Sequence, residues 1–327
     1  MNVKIQILER LKGAFFSVMD KPPIKSGERW HFEYITPTFI QGELVKKVLA
    51  KGSTKYQKYV IHDTSVFGRT LVLDDKTQSA SVDEFVYHEA LVHPVMITHP
   101  NPKSIFIAGG GEGATAREVL AYGDAQNITM VDLDQEIVEL CMKYLPGHHQ
   151  GAFKDKRLKV IYEDAYKFLE CSVESFDIAV IDVPDPLENG PAINMFTYEF
   201  YSLLSKHMNK DGLVVAQSGP TGPAFMEQCF SAVSNTMASV FPSVSVYETF
   251  IPSFGATWGF VVGSNSLDPS KLSTHEIDER IRSRIENKLG FYDGVTHTGM
   301  FNTPKYLRES ISKETRVITK SNPLFVP

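Results

Sequence analysis

The chain has 327 residues, 43% apolar and 22% charged, with a formal net charge of −6. That length predicts about two domains with a full core, and the lack of any Lys/Arg run argues against nucleic acid as a partner. Cys141, Cys171 and Cys229 are widely spaced and form no CxxC pair, which suits a reduced compartment and fits neither a disulfide framework nor a zinc site.

Residues 1–25 read as an arm, amphipathic at first and then broken by Pro22-Pro23. Charges scattered through it leave no continuous apolar core for a signal peptide. No segment approaches ~20 uncharged apolar residues, so no membrane span is expected and the expected location is the cytoplasm. From Trp30 to Ala80 short apolar runs such as Tyr59-Val60-Ile61 and Thr70-Leu71-Val72-Leu73 alternate with turn clusters, predicting a small antiparallel meander. Asp83-Glu84 reads as an N-cap with a first-turn acid for a helix running to about Val95. The seam His99-Pro100-Asn101-Pro102 cannot continue that helix.

Beyond the seam, strands alternate with helices. Strands are expected at 104–108, 127–132, 158–162, 176–182 and 212–217, with helices at 114–122, 134–145, 164–170, 196–208 and 224–240. This order predicts an α/β fold, a Rossmann-like doubly wound and mostly parallel sheet. The runs 244–250 and 258–263 are expected as an antiparallel hairpin at its edge, and the tail from Ser266 as one charged helix, His275 to Leu289, and little else. The expected domains are residues 1–82, an arm plus β meander, and residues 83–327, the catalytic part with its helical tail.

The first strand of the alternating region, Ile105 to Ala108, stops at Gly109-Gly110-Gly111-Glu112-Gly113 and a helix follows. Glycines at 109, 111 and 113 let a ligand approach the backbone, although a bare turn between strand and helix would also favour them. Ligands bind outside the carboxyl ends of such strands. There the sequence places Glu112, then Asp132, then Asp164, then Asp182 with Asp185 three residues on, then Gln217. Asp132 lies about twenty residues past the glycines, where a carboxylate takes ribose hydroxyls. Asp134 reads as a helix cap, Asp164 equally as a cap or as a ligand of the base, and Asp185 before Pro186 equally as a turn former. Clustered acids are costly unless a cation answers them. Glu112 inside the loop would repel a pyrophosphate but accept an ammonium or sulfonium, which disfavours a dinucleotide. His88 and His93 sit five apart and His148-His149 lacks acids in helical register, so no metal site is expected.

These residues are recognisable. Over roughly residues 28 to 264 the chain resembles the polyamine aminopropyltransferases, the spermidine, spermine and thermospermine synthases. The motifs are Tyr56-Gln57, Val72-Leu73-Asp74, the run DEFVYHE from Asp83 to Glu89, HPNP from His99, GGGEG from Gly109, Asp132-Leu133-Asp134, DVPDP from Asp182, and Phe200-Tyr201. The resemblance implies decarboxylated S-adenosylmethionine as co-substrate, a small polyamine as acceptor, no metal, and a homo-oligomer, dimer or tetramer. By position it implies that Gln57 and Asp132 hold the nucleoside along Gly109 and Gly111. Asp164, with Ala165 beside it, takes the adenine amino group, and Pro191 and Ala192 line the base. His88 and Glu112 bind the aminopropyl ammonium. Tyr87, Asp182 and Asp185 face the acceptor amine, with Asp182 as base. Phe254 walls the polyamine channel, and Gln217 lies near the reaction centre. The extended segment DVPDPLENGPAINMFT and the ending Pro252-Ser253-Phe254 with Trp258-Gly259 resemble thermospermine synthases. That favours spermidine to thermospermine as the reaction. The alternatives are spermidine or spermine synthesis in the same family, an S-adenosylmethionine-dependent N-methyltransferase on the same scaffold, and a polyamine-binding protein without turnover.

Overall fold

A computed structural model of the chain describes residues 27–36, 38–188 and 190–326; the expected N-terminal arm lies outside them. Within the described residues the chain forms two sheets. The first is a five-stranded antiparallel meander, β1 (Arg29–Thr36), β2 (Phe39–Ser53), β3 (Lys58–Thr64), β4 (Arg69–Leu73) and β5 (Lys76–Ala80), ordered β1-β2-β3-β4-β5. The tight turn between β4 and β5 is made by Asp74 and Asp75, both in the left-handed region at φ 46 and 65°, which aspartate tolerates better than most side chains.

The second sheet has seven strands: β6 (Ser104–Gly109), β7 (Asn127–Asp132), β8 (Leu158–Tyr162), β9 (Phe176–Asp182), β10 (Met208–Pro220), β11 (Ser243–Ile251) and β12 (Ala256–Ser264). Their order is β11-β12-β10-β9-β6-β7-β8, parallel from β10 to β8, with β12 antiparallel to both β10 and β11. The expected doubly wound sheet and its edge hairpin are therefore both present. The strand order reverses at β6, which pairs with β7 on one side and β9 on the other, and a doubly wound sheet opens its ligand crevice at that point.

Helix α1 (Glu84–Thr98) joins the two sheets. It is almost wholly buried, its apolar residues spread round the helix and its buried Glu84, His88, Glu89 and His93 each held by polar partners. It runs past the expected end through Pro94, and the Thr98 hydroxyl donates to the Pro94 carbonyl at 2.6 Å. Asp83 occupies the cap position, but its side chain makes no cap bond; Oδ2 instead accepts the Ser253 N–H at 2.6 Å. The alternating helices are α2 (Ala114–Leu120), α3 (Gln135–Tyr144), the short α4 (Pro146–His149), α5 (Ala165–Cys171), α6 (Tyr198–Lys206) and α7 (Phe230–Ala238). The tail departs from expectation. Beyond α8 (Thr274–Arg284) it adds α9 (Gly294–Phe301) and α10 (Lys305–Lys313). Buried Glu89 of α1 organises that tail by accepting the N–H groups of Gly290, Phe291 and Tyr292, each at 2.8 Å.

The meander docks on the catalytic sheet through α3. Ile61, Leu71 and Leu73 pack with Ile137, Cys141 and Leu145 in one apolar cluster. Asp134 caps α3 by accepting from Ile137 N–H and also receives Thr54 Oγ1 at 2.5 Å and Gln57 Nε2 at 3.1 Å. One carboxylate thus ends a helix and latches the meander. Among the described residues no helix is long and apolar enough to cross a membrane.

Candidate active site

The glycine loop is shaped by contact with β9. Gly109 and Gly110 have φ +80 and +74°, and a Cβ on Gly109 would fall 2.1 Å from the Asp182 carbonyl oxygen. The Gly110 N–H donates to that same oxygen at 2.9 Å. At Gly111 a Cβ would lie 2.9 Å from Asp132 Oδ2. The glycines therefore let the loop lie against two of the acids as well as against a ligand.

A single cavity opens over this loop. Gln57, Tyr87, Gly109, Gly111, Glu112, Asp132, Asp164, Ala165, Asp182, Asp185, Pro191, Ala192, Gln217 and Phe254 all line it. Of the residues expected at the site, His88 alone does not. It lies behind Glu112, 1% exposed. Its Nε2 donates to Glu112 Oε1 at 2.9 Å, and its Nδ1 to the carbonyl and Oε2 of Glu84 at 2.7 and 2.8 Å. Both ring nitrogens are committed to acids, so His88 offers none to a ligand.

The acids divide into two kinds. Burial pushes the Glu112 carboxyl up, but the bond and charge of His88 outweigh it and hold it below the ordinary value. Burial lowers His88 in turn, and the carboxylates of Glu112 and Glu84 overcome that and raise it to about 10. Asp132 and Asp182 are bonded to no cation, although the charge of nearby His88 lowers Asp182 in part. Burial and neighbouring negative charge raise Asp132 to about 7 and Asp182 to about 6. The Asp182 carboxylate is oriented from both sides, by the Tyr87 hydroxyl at 2.8 Å on Oδ1 and the Thr115 hydroxyl at 2.5 Å on Oδ2. A carboxylate in the mid-acid range, fixed at a cavity wall, is equipped to take a proton near neutral pH.

Asp185 is raised by burial and receives Gln217 Nε2 at 3.2 Å. The Gln217 amide is fully engaged: Nε2 also donates to the Val183 carbonyl at 2.8 Å, while Oε1 accepts from Gly219 N–H at 3.1 Å and Trp258 Nε1 at 3.0 Å. It holds the 183–185 segment in place. Asp164 caps α5, accepting Tyr166 and Lys167 N–H groups at 2.8 and 3.4 Å through Oδ1, and lines the cavity as well. Phe254 stands edge-on to Tyr87 and Trp258, ring centres 5.9 and 4.8 Å away.

Among the described residues, His88, Glu112 and Asp182 bring ligand-type atoms within 4.8 Å of one another. The His88 nitrogen facing the cavity is already the donor to Glu112, so what the trio presents is a pair of carboxylates. An organic ammonium suits such a pair.

Comparison with known proteins now decides the family. The model of the spermine/spermidine synthase domain matches residues 84–273, and that of the spermidine synthase tetramerisation domain matches residues 29–81. The chain belongs to the spermine/spermidine synthase family. A polyamine aminopropyltransferase of Sulfurisphaera tokodaii is 44% identical over 91% of this chain and 98% of its own length. A polyamine aminopropyltransferase of Hyperthermus butylicus is 40% identical over 92% and 99%. A spermidine synthase solved in complex with the transition-state analogue AdoDATO superposes with a TM-score of 0.81 at 26% identity, covering 91% of this chain and all of that one. The fold of this spermine/spermidine synthase family member is thus that of its solved relatives.

Several residues that line or support the cavity carry no signal of that role in the sequence. Glu33 and Lys76 of the meander line the cavity; Glu33 accepts the Thr77 N–H at 2.9 Å and is raised by burial. Their short strands carry no local signal of a site made across two sheets. Thr115 reads as an ordinary helix residue until its hydroxyl is seen on Asp182. Trp258 was visible as part of a motif, but its bond to Gln217 was not.

Proposed function

We propose that this protein is an aminopropyltransferase. It moves the aminopropyl group of decarboxylated S-adenosylmethionine to an amine of a polyamine and releases 5′-methylthioadenosine. The observation that carries this reading is the charge arrangement at one cavity wall: an ionised Glu112 beside an Asp182 held at about 6. A methyl donor that keeps its carboxylate would meet Glu112 as a like charge. A donor ending in an ammonium meets it as a partner.

In this reading Asp132 takes the ribose hydroxyls with Gln57 close by, and the free oxygen of Asp164 takes the adenine amino group between Ala165, Pro191 and Ala192. Glu112 receives the aminopropyl ammonium. The acceptor lies along Tyr87, Asp185 and Phe254. Its neutral nitrogen attacks the methylene carbon bonded to sulfur; the carbon–sulfur bond breaks, its electron pair stays on sulfur, and the amine proton passes to Asp182. Tyr87 and Thr115 fix that carboxylate, and alignment of nitrogen with carbon lowers much of the remaining barrier.

For the acceptor we favour spermidine, giving thermospermine. The long 182–197 segment and the Phe254–Trp258 wall support it, as does a further acid on the cavity lining, Glu33, which with Asp185 suits an acceptor with several ammonium groups. The matched tetramerisation domain supports a homo-oligomer built on the meander. The test is incubation of the purified protein with decarboxylated S-adenosylmethionine and a panel of putrescine, spermidine and spermine. Products are identified by mass spectrometry after chromatographic separation of thermospermine from spermine. Thermospermine with methylthioadenosine is expected. Spermidine made from putrescine alone overturns the acceptor assignment, and S-adenosylhomocysteine made from intact S-adenosylmethionine overturns the reaction.

A further inference from the structure

Glu112 is the inner end of a row of alternating charges that reaches back through α1 to α2. Arg117 donates to both oxygens of Glu84, Nη1 to Oε1 at 2.8 Å and Nη2 to Oε2 at 3.0 Å. It also donates to Glu118 Oε1 through Nε and Nη2 at 2.8 and 2.6 Å, and to the His148 carbonyl. Glu84 Oε2 accepts from His88 Nδ1, and His88 Nε2 donates to Glu112. Of these groups only Glu112 lines the cavity.

We infer that Arg117 and Glu84 are positioning residues for the donor: they hold His88 as the cationic partner of Glu112 and so fix where that carboxylate meets the donor's ammonium. The inference rests on the aminopropyl-donor reading of the site. A buried carboxylate beside other acids is pushed toward its protonated form unless a cation is bonded to it, as the raised value of Asp132 shows. A buried histidine likewise gives up its charge unless acids hold it. His148 on α4, in the same region, is lowered to about 4 by burial. His148 also feels the charges of Glu84 and Glu112 but hydrogen-bonds neither, whereas His88 is bonded directly to both. Glu84 in turn is kept ionised against burial, at about 2, by His88 and Arg117. The remaining titratable groups that face His88 are Tyr87, whose ring meets it edge-on at 5.0 Å, Asp182, and His148, which burial keeps neutral near neutral pH. None of the three supplies a positive charge near neutral pH, so the row begins at Arg117.

The experiment compares wild type with Glu84→Gln and Arg117→Lys, using three readouts. First, KM for decarboxylated S-adenosylmethionine should rise on the order of tenfold to a hundredfold in Glu84→Gln, with kcat at saturating donor and the acceptor KM little changed. Arg117→Lys, which keeps the charge but loses the two-pronged geometry, should fall between. Second, the affinity for methylthioadenosine, which has no aminopropyl ammonium, should be unchanged in both. Third, nitrogen-15 NMR of labelled histidine at pH 8 should show His88 doubly protonated in wild type and neutral in Glu84→Gln. Loss of methylthioadenosine affinity in parallel with donor affinity, or a His88 that stays cationic in Glu84→Gln, overturns the inference. If Glu84→Gln does not fold, Arg117→Lys decides by the same three measurements. A wild type that does not turn over the donor defeats the functional reading instead, and the His88 signal still reports on the row itself.

Discussion

The Tyr87 hydroxyl donates to Asp182 Oδ1 at 2.8 Å, so the buried helix that joins the two sheets also grips the carboxylate at the end of β9. With Thr115 on the other oxygen, both oxygens of Asp182 are held by hydroxyl donors from different helices. In the proposed reaction, the proton acceptor is thus preorganised by the fold before any substrate enters.

Replacing Asp182 by Asn keeps the shape of that arrangement and removes its basicity. Turnover should fall by roughly 10²–10⁴, while methylthioadenosine binding, measured calorimetrically, should stay within about twofold of wild type. Near-normal turnover would remove Asp182 from its role as base.

The pH profile follows from the same carboxyl group. In the proposed reaction Asp182 must be ionised to accept a proton and sits at about 6, so kcat/KM for the acceptor should rise with pH through about 6 and keep rising as the acceptor amine loses its own proton. Bound acceptor, a polycation, adds positive charge beside it and favours the ionised form, so the acid limb of kcat should lie below that of kcat/KM for the acceptor. A profile flat from pH 5 to 8 would contradict this.

Stability should carry a second, opposite signature. His88 is raised from an ordinary 6.5 to about 10, so its contribution is fully present below pH 6.5 and is lost as pH rises toward 10. Glu84, lowered from 4.5 to about 2, contributes above pH 4.5 and loses that contribution as pH falls toward 2. The denaturant-midpoint difference between wild type and Glu84→Gln should therefore be largest between pH 4.5 and 6.5. A difference that does not vary with pH would show that the ion pairs add nothing.

Gln41 links the meander to the acceptor wall. Its Nε2 donates to the Ser253 carbonyl at 2.8 Å, and Asp83 takes the N–H of the same residue, so the turn that carries Phe254 is held from two directions. Gln41→Ala should raise the acceptor KM by about 2- to 10-fold, the loss of one hydrogen bond, and leave the donor KM alone. Steady-state kinetics with each substrate varied in turn check it; equal changes in both would make Gln41 a general stabiliser.

Gly109→Ala tests the loop itself. The new Cβ meets the Asp182 carbonyl at 2.1 Å, at a φ of +80°, so both the backbone and the end of β9 must move. Unfolding should cost about 2–4 kcal/mol less and turnover should fall at least as far as in Asp182→Asn. A variant of normal stability would mean that the loop has slack the contacts do not show.

Much of this site is readable from local pattern, because the acids stand where strands end and strand ends are marked by apolar runs. Asp132, Asp182 and the glycines were found that way. What escaped was set by distant partners. Asp83 reads as a helix cap, yet its carboxylate serves Ser253 on another strand turn. Glu84 reads as a first-turn acid, yet it is the hinge between Arg117 and His88. His88 was expected at the ligand and stands one residue behind it, since no sequence pattern says that two acids already occupy both ring nitrogens. Helix α9, GVTHTGMF, has two glycines and two threonines and no helical propensity to announce it. It forms because Asp293 caps it and buried His297 bonds Tyr292 and the Pro269 carbonyl.

Gln217 has a polarity that its neighbours impose. Its oxygen faces donors from β12 and from its own strand, and its nitrogen faces acceptors on the segment after β9. Turned over, the amide would set oxygen against oxygen and nitrogen against N–H; exchanged for glutamate, it would leave Asp185 without its donor and confront it with a like charge. Position 217 therefore accepts neither a flipped amide nor its nearest isostere. The edge hairpin and the acceptor-side loop are keyed to each other by one side chain that fits in a single orientation.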